Sequence, residues 1–380
     1  MKARVIALYL PQYHPIPEND QWWGKGFTEW TNVAKAKPLF KGHYQPKVPT
    51  ELGFYDLRMP EVREQQAQLA REAGIEGFCY WHYWFGNGRR LLERPFNEVL
   101  ESGKPDFPFC LGWANHTWTS KTWNKEKHEN TPTILVEQTY PGIKDYEAHF
   151  YAVLPAFKDK RYITVDGKPF FLIYDPFAFK EVSQFIDVWQ KLANKNGLKG
   201  IHFVALTSAT FRDLNTGTLK KELVPESEVN QFVLNMGFDA VCLNGMTRAN
   251  VELQGMLKSY INGFLKRKCG VKLCDKIKQK DINKHLFTGD VYQENVYPMI
   301  LPNFDRTPRT NNDIIYYDST PEVFEDSIKD CLKYLENKEE EHKIILLKSW
   351  NEWGEGNYVE PDIRYGKGYL DAIKNTVSGD

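Results

Sequence analysis

The sequence carries almost no net charge and few cysteines. Its 380 residues include 49 Lys and Arg against 50 Asp and Glu, so net charge predicts neither nucleic acid nor an anionic membrane as a partner. Cys79, Cys110 and Cys242 fall in predicted strands as small buried apolar residues. Cys269 and Cys274 lack the further Cys or His ligands of a zinc site. We expect no metal ion, no cofactor and a reduced, cytoplasmic setting.

Long apolar runs are also missing. No segment approaches the roughly 20 apolar residues that a membrane-spanning helix needs. The first apolar run, Val5–Leu10, is short, and no small-residue cleavage site follows it. It therefore predicts a strand and not a signal peptide.

Nucleotide-binding signatures are the third absence. The sequence contains neither G-x-G-x-x-G nor G-x-x-x-x-G-K-[ST], and the turn after the first predicted strand, Pro11–Pro17, has no glycine. This disfavours a doubly wound open sheet, the main alternative fold. No Asp-x-Asp pair is present to hold the divalent cation of a metal-dependent sugar-nucleotide transferase.

Short apolar runs alternate with amphipathic segments along the chain. Eight runs predict strands, at Val5–Leu10, Gly77–Tyr83, Phe109–Trp113, Phe170–Tyr174, His202–Leu206, Ala240–Leu243, Val296–Pro302 and Ile344–Ser349. The predicted helices include Pro60–Ala73, Val182–Ala193, Pro321–Leu335 and a last one within Gly366–Val377. This order predicts an α/β fold, a single (β/α)8 TIM barrel over residues 1–380 with long βα loops. A Lys-rich segment around 258–290 is expected to be an insertion on the outside of the barrel.

Two glutamates follow the last predicted strand. Glu352 and Glu355 lie in Trp-Asn-Glu-Trp-Gly-Glu-Gly, with Gly354 between them expected to allow a sharp bend. Two acids close together repel as anions, so we expect one of them to keep its proton near neutral pH. Tryptophan faces beside them are suited to stacking on a pyranose. Glu352 and Glu355 are therefore the candidate catalytic residues of a sugar-cleaving site.

Aromatic, amide, His and acidic side chains recur at the other predicted strand ends. Because a barrel places function at the carboxyl ends of its strands, we expect these side chains to contact a sugar. The predicted sugar-binding residues are Tyr9, Gln12, Tyr13, His14, Trp30, Tyr80, Trp81, His82, Tyr83, Trp113, Asn115, His116, Asn303, Asp305, Trp350, Asn351 and Trp353. A core role for His82 and a loop-ordering role for His14 are the alternatives.

Three long motifs resemble a known family. Leu8–Asp20 with Trp22–Val33, Gly77–Phe85 and Trp350–Gly356 are similar to the WbsX-type family, which is often labelled glycosyltransferase and occurs in bacterial O-antigen and surface-polysaccharide loci. That family looks related to the family 99 glycoside hydrolases, the endo-α-mannosidases, which are (β/α)8 barrels. One departure is His116, which stands where the family typically has Glu.

The resemblance implies roles and a substrate. Glu352 would act as base on the sugar's 2-hydroxyl and Glu355 as general acid. The first hypothesis is a retaining, metal-independent glycoside hydrolase acting on an α-linked bacterial polysaccharide, with an oligo- or polysaccharide as partner. A glycosyltransferase of surface-polysaccharide biosynthesis and a non-catalytic carbohydrate-binding barrel are the alternatives. The sequence predicts no sugar identity, no endo or exo preference and no oligomeric state.

Overall fold

Eight parallel strands close into a barrel in the computed structural model, which describes residues 2–120, 133–255, 275–310 and 314–378, together with Lys258 and Ile261. The strands are β1 (Arg4–Tyr9), β2 (Gly77–Trp84), β3 (Phe109–Trp113), β4 (Lys168–Ile173), β5 (His202–Thr207), β6 (Ala240–Leu243), β7 (Val296–Ile300) and β8 (Ile344–Leu347). Each pairs with the next, and β1 pairs with both β2 and β8, so no edge stays open. The predicted barrel is confirmed, and the open sheet is wrong.

The strands are buried on both faces, which explains their sequence pattern. All four residues of β8 are fully buried, and β3, β6 and β7 are buried throughout. A parallel strand covered by helices outside and by side chains inside reads as a continuous apolar run. The predicted strand bounds therefore fall within a few residues of the observed ones.

Helices follow the strands around the barrel. They are α1 (Pro17–Trp23), α2 (Glu29–Lys35), α3 (Pro60–Glu72), α4 (Arg94–Ser102), α5 (Ile143–Phe157), α6 (Val182–Lys195), α7 (Glu226–Leu234), α8 (Met246–Gln254), α9 (Gln279–Asn283), α10 (Pro321–Lys333) and α11 (Gly368–Val377). Helix α10 begins as its sequence predicts, because the Thr320 side chain accepts a hydrogen bond from the Val323 N–H and Pro321 occupies the first turn.

Long excursions rise from the carboxyl ends of the strands. The segment between β1 and α3 carries α1 and α2, and Pro49 forms a bridge with Asp362 in the segment after β8. Short paired strands shape the other excursions, at Trp118–Thr119 with Ile134–Val136, Thr210–Arg212 with Leu219–Val224, Lys276–Lys278 with Ile315–Tyr317, and Asn351–Glu352 with Asn357–Tyr358. The barrel thus supports a rim of tethered loops.

The predicted insertion around 258–290 is described only in part. Residues 256–274 lie outside the described residues apart from Lys258 and Ile261, and so do Cys269 and Cys274. The part from residue 275 onward packs Ile282 and Leu286 against Leu301 and Tyr316 in a small apolar cluster beside the barrel. Cys79, Cys110, Cys242 and Cys331 are buried free thiols. Within the described part of the chain, no helix has both the length and the hydropathy needed to cross a bilayer.

An aromatic layer joins α5 and α6 to the outside of the barrel. Trp189 on α6 is fully buried, its ring centroid lies 4.6 Å from that of Phe185 and 4.8 Å from that of Phe171 on β4, and its indole N–H donates to the Tyr146 carbonyl at 2.9 Å. Large rings fill this layer, so loss of one leaves a cavity that the neighbours cannot close.

We predict that Trp189→Ala lowers the free energy of unfolding by about 3–5 kcal/mol, because it removes a fully buried indole and leaves a cavity. Urea denaturation followed by intrinsic fluorescence measures the change. The matched control is Tyr292→Ala, whose side chain is 58% exposed and whose loss should change stability by less than about 0.5 kcal/mol. Equal effects of the two substitutions would contradict this packing.

Candidate active site

A cavity of about 330 Å³ opens at the carboxyl ends of the strands. Six of the predicted site residues line it, namely Gln12, Trp81, Tyr83, His116, Glu352 and Glu355. Further walls come from aromatic and cationic side chains, including Trp22, Trp23, Trp118, Tyr174, Arg306, Arg309 and Lys348. Aromatic faces beside convergent charged groups are typical of a small-molecule or sugar site.

One guanidinium holds three carboxylates beside this cavity. Arg309 Nε donates to Glu29 Oε1 at 2.9 Å, and its Nη1 donates to Glu355 Oε1 at 2.8 Å. Its Nη2 donates to Glu352 Oε1. Because the guanidinium is planar and its terminal nitrogens bond both candidate acids, Glu352 and Glu355 face the same small volume.

Burial and cations separate the pKa values of the two acids. Burial raises the pKa of Glu352 to about 8, against the pull of Arg309 and with help from the neighbouring Glu355. Burial also opposes ionisation of Glu355, but Arg306, Arg309 and Lys348 outweigh it and lower the pKa of that carboxyl to about 2. Arg306 Nε lies 3.2 Å from Glu355 Oε1, and Lys348 Nζ lies 3.8 Å from Oε2. These opposite shifts favour a proton on Glu352 and an ionised Glu355.

Glu29 reaches this cluster from the first long loop. It begins α2, where Thr28 and Thr31 form a capping box, and its side chain is fully buried, which raises its pKa. A Cβ on Gly354 would collide with the Glu29 carboxylate and lie 2.8 Å from Arg309 Nε. The absence of a side chain at Gly354 therefore lets the loop lie close to Glu29 and Arg309. The bend that we predicted there is made at Gly356, whose φ is +69°.

A buried carboxyl anchors the loop that carries the two acids. Glu360 Oε2 accepts hydrogen bonds from Trp353 Nε1 at 2.7 Å and from the Tyr55 hydroxyl at 2.9 Å. Its Oε1 accepts from Gln66 Nε2 on α3 at 2.6 Å. Burial outweighs these donors and raises the pKa of Glu360 to about 7. This network ties the loop after β8 to the first loop and to α3.

Several predicted sugar-binding residues do not line the cavity but hold the loop after β8 in place. The Tyr13 hydroxyl donates to the Asn351 carbonyl at 2.6 Å and accepts from the Trp353 N–H at 3.1 Å. The Asn351 side chain bonds both the N–H and the carbonyl of Leu10. These residues, with Trp30 and Trp350, are buried in the packing around the loop and do not line the cavity. Their side chains position the acids.

Other predicted residues lie in the core. Tyr9, Tyr80, His82 and Trp113 are buried; His82 Nε2 bonds His149 Nε2 at 2.8 Å, so the core alternative for His82 holds. These strand-end side chains do not line the cavity. They are buried in the core, where large rings pack favourably among apolar neighbours. His14 lines a separate shallow pocket with Arg90.

Three predicted residues brace other parts of the rim. The Asn115 side chain bonds the N–H and the carbonyl of Asp175, both at 2.8 Å. Asn303 and Asp305 line a different pocket. Hydrogen bonds from His43 and Thr307, with Lys47 nearby, overcome burial and hold the pKa of Asp305 well below its usual range. Asp305 thereby fixes the turn that leads to Arg309.

Sequence reasoning missed four charged members of the site. Arg306 and Arg309 lie one and four residues beyond Asp305, so the signal for them is in the residues just past the end of β7. Lys348 lies just before the last motif, and Glu29 lies in the first loop, beside the predicted Trp30. Nothing in the sequence indicated that Glu29 and Arg309 meet.

We predict that Glu360→Gln changes how stability depends on pH. A pKa raised to about 7 means that the folded protein holds this proton more tightly than the unfolded chain does. The resulting stability is present below the unfolded pKa and is lost as pH rises through about 7. The stability advantage of the wild type over Glu360→Gln should therefore shrink between pH 4.5 and 8. Urea titrations at several pH values measure it, with the exposed Glu64→Gln as control. An advantage that grows with pH would contradict the assignment.

The sequence of this chain is similar to known proteins over its whole length. The model of the family described as glycosyltransferase WbsX matches residues 5–373. The uncharacterized protein WxcX of Xanthomonas campestris pv. campestris is 31% identical over 380 residues, covering 100% of this chain and 50% of that protein. The chain thus spans about half the length of the curated relatives that it matches.

Two solved structures share the fold. A GH99 endo-alpha-mannosidase from Bacteroides thetaiotaomicron has a TM-score of 0.56 at 14% identity, with 99% of this chain and 96% of that chain covered. A glycoside hydrolase-like protein has a TM-score of 0.58 at 16% identity, with 100% and 94% covered. At such identities the likeness shows the fold, whereas the family match covers nearly the whole sequence. The chain belongs to the glycosyltransferase WbsX family.

Proposed function

We propose that this chain is a glycoside hydrolase that cleaves an α-linked bacterial polysaccharide, with Glu352 and Glu355 as the reacting carboxylates. The observation that carries the proposal is the pair itself: two acids on one guanidinium, at a cavity with aromatic walls, with the pKa of Glu352 raised by burial and that of Glu355 lowered by nearby cations. Glycoside cleavage needs one carboxyl group that is protonated and one that is ionised. The GH99 endo-alpha-mannosidase with the same fold motivates the α-linked substrate.

The roles follow from where the shared proton lies during the reaction. In the free site the proton resides on Glu352, whereas the family resemblance makes Glu352 the base and Glu355 the acid. A sugar 2-hydroxyl that donates a hydrogen bond to Glu352 favours its ionised form. The proton then passes to Glu355, which donates it to the leaving glycosidic oxygen as the bond between that oxygen and C1 breaks. At the same time Glu352 accepts the proton of the 2-hydroxyl, and the 2-oxygen bonds to C1. Water then attacks C1 and opens this three-membered ring, with Glu355 accepting a proton from the water and Glu352 returning its proton to the 2-oxygen. Arg309 contacts both carboxyl groups and stabilises whichever one is the anion.

Both acids are necessary in this scheme. We predict that Glu352→Gln and Glu355→Gln each lower the release of oligosaccharides by roughly 10²–10⁴-fold, because each removes one proton-transfer group. Mass spectrometry of products detects the release, after incubation with a panel of bacterial surface polysaccharides and α-mannans without nucleotide sugars. The exposed Glu64→Gln on α3 should retain full activity. Undiminished release by either active-site variant would refute the proposal.

The pH dependence follows from the same pair. Above a pH of about 8 Glu352 loses the last proton of the pair, and no acid remains for the leaving group. We predict that kcat/KM of the wild type falls as pH rises through about 8, which a rate profile between pH 5 and 10 measures. A rate that keeps rising through pH 9 would mean that the proton is not held by this pair.

A glycosyltransferase is the second candidate. The family description favours it, and so do three cations in the cavity wall, Arg306, Arg309 and Lys348, since cations can neutralise a diphosphate. Calorimetric titration with UDP- and GDP-sugars decides between the two candidates. Binding of a nucleotide sugar together with no polysaccharide cleavage would replace the hydrolase proposal.

A further inference from the structure

A second and larger cavity adjoins the catalytic one. It has a volume of about 810 Å³ and lies at the carboxyl ends of β4, β5 and β6, where Asp175, Thr207 and Asn244 line it. The hairpin Thr210–Arg212 with Leu219–Val224 supplies further lining through Arg212. We call this cavity the rim groove. The reacting pair described above plays no part in it.

Tyr174 connects the two cavities, since it lines both. Its ring stands edge-on to Trp81, with centroids 5.7 Å apart, and lies 5.2 Å from that of His116. Trp81 and His116 line the catalytic cavity. Tyr174 therefore stands where the two cavities meet, beside two residues of the catalytic cavity.

Aromatic faces in the rim groove are exposed. The side chains of Tyr174 and Phe177 are each 41% exposed, and the Phe177 ring stacks at 28° on that of Phe232 with centroids 6.0 Å apart. Exposed rings grouped in a concave surface mark a binding site. Polar side chains at the strand ends stand beside these rings, which is the combination that sugar rings and their hydroxyls require.

The aromatic wall is fixed before any ligand binds. The fully buried Asn115 bonds the N–H and the carbonyl of Asp175 at 2.8 Å each. The Asp175 carboxylate in turn accepts a hydrogen bond from the Phe177 N–H at 3.0 Å. Tyr174 and Phe177 therefore lie on a backbone segment that hydrogen bonds hold in place. Binding of a ligand then costs little free energy for ordering this segment.

We propose that the rim groove binds further sugar residues of the same glycan whose linkage lies at Glu352 and Glu355, so that the site recognises an extended chain and not a single terminal sugar. This rests on the proposed function and deepens it, because it assigns the substrate class as a polymer of several sugars. We infer that the ligand is the same glycan because the rim groove shares Tyr174 with the catalytic cavity. The groove also offers rings and polar groups along its length.

Binding to fragments of graded length tests the proposal. The probes are α-mannan fragments of one to six sugars, titrated calorimetrically against the Glu355→Gln protein, in which cleavage is expected to be roughly 10²–10⁴-fold slower. Affinity should rise with length, and Phe177→Ala in that background should weaken binding of the longest fragment roughly tenfold while leaving the shortest unchanged. Phe177→Trp should restore the affinity. Tyr292→Ala, an exposed ring outside both cavities, is the matched control.

The outcomes separate the two proposals. Affinity that is independent of length, or an unchanged affinity in Phe177→Ala, overturns the rim groove while the hydrolase proposal stands on its product analysis. No affinity for any fragment, in a protein whose wild type cleaves α-mannan, also overturns it. If the wild type cleaves nothing in the polysaccharide panel and binds no fragment, both proposals fall. An unchanged thermal unfolding midpoint in Phe177→Ala shows that a weakened affinity is not misfolding.

Discussion

The contacts of Arg309 with three carboxylates are the interaction on which this site depends. Arg309 lies in the loop after β7, and its partners come from two other loops: Glu29 from the loop after β1, and Glu352 and Glu355 from the loop after β8. A buried carboxylate is costly unless a cation and hydrogen bonds compensate it. The guanidinium supplies a cation and hydrogen bonds to all three carboxylates. It thereby links the loops after β1 and β7 to Glu352 and Glu355. Arg306 and Lys348 lie closer to Glu355, so the pKa of Glu355 is lowered while burial raises that of Glu352.

The barrel makes this convergence possible. Closure of β1 against β8 brings the first and last loops of the chain to the same place, although they are more than 300 residues apart in contacts such as Tyr13 to Asn351. Behind the acids, Glu360 collects donors from Trp353, Tyr55 and Gln66 and holds the last loop. Glu352 and Glu355 therefore lie on a loop that is tied to the barrel by hydrogen bonds, and the rim groove lies on neighbouring strand ends of the same barrel.

The fold was predictable because buried parallel strands have continuous apolar sequences. Each of the eight apolar runs in the sequence corresponds to one strand of the barrel. The position of Glu352 and Glu355 at the cavity was predictable as well, since both acids stand in one motif at a strand end. The residues that line the cavity were harder to predict, because neighbouring strand-end residues take different places: Trp81 and Tyr83 line the cavity, whereas Tyr80 and His82 are core. The meeting of Glu29 with Arg309, residues 280 apart along the chain, depends on tertiary packing that no local pattern encodes. Conversely, Trp353, Asn351 and Tyr13 carry polar and aromatic groups typical of ligand contacts, yet their side chains fasten the loop.

We propose that Glu352 and Glu355 share one proton at neutral pH, with the proton on Glu352 in the free site. NMR titration of protein labelled with ¹³C at the glutamate side-chain carboxyl detects this proton. We expect a carboxyl signal that titrates near pH 8 in the wild type, disappears in Glu352→Gln and survives in Glu355→Gln, although at lower pH because the neighbouring negative charge is gone. If every glutamate signal of the site titrates below pH 5, or if the high-pH signal disappears in Glu355→Gln and survives in Glu352→Gln, the account of this pair is wrong.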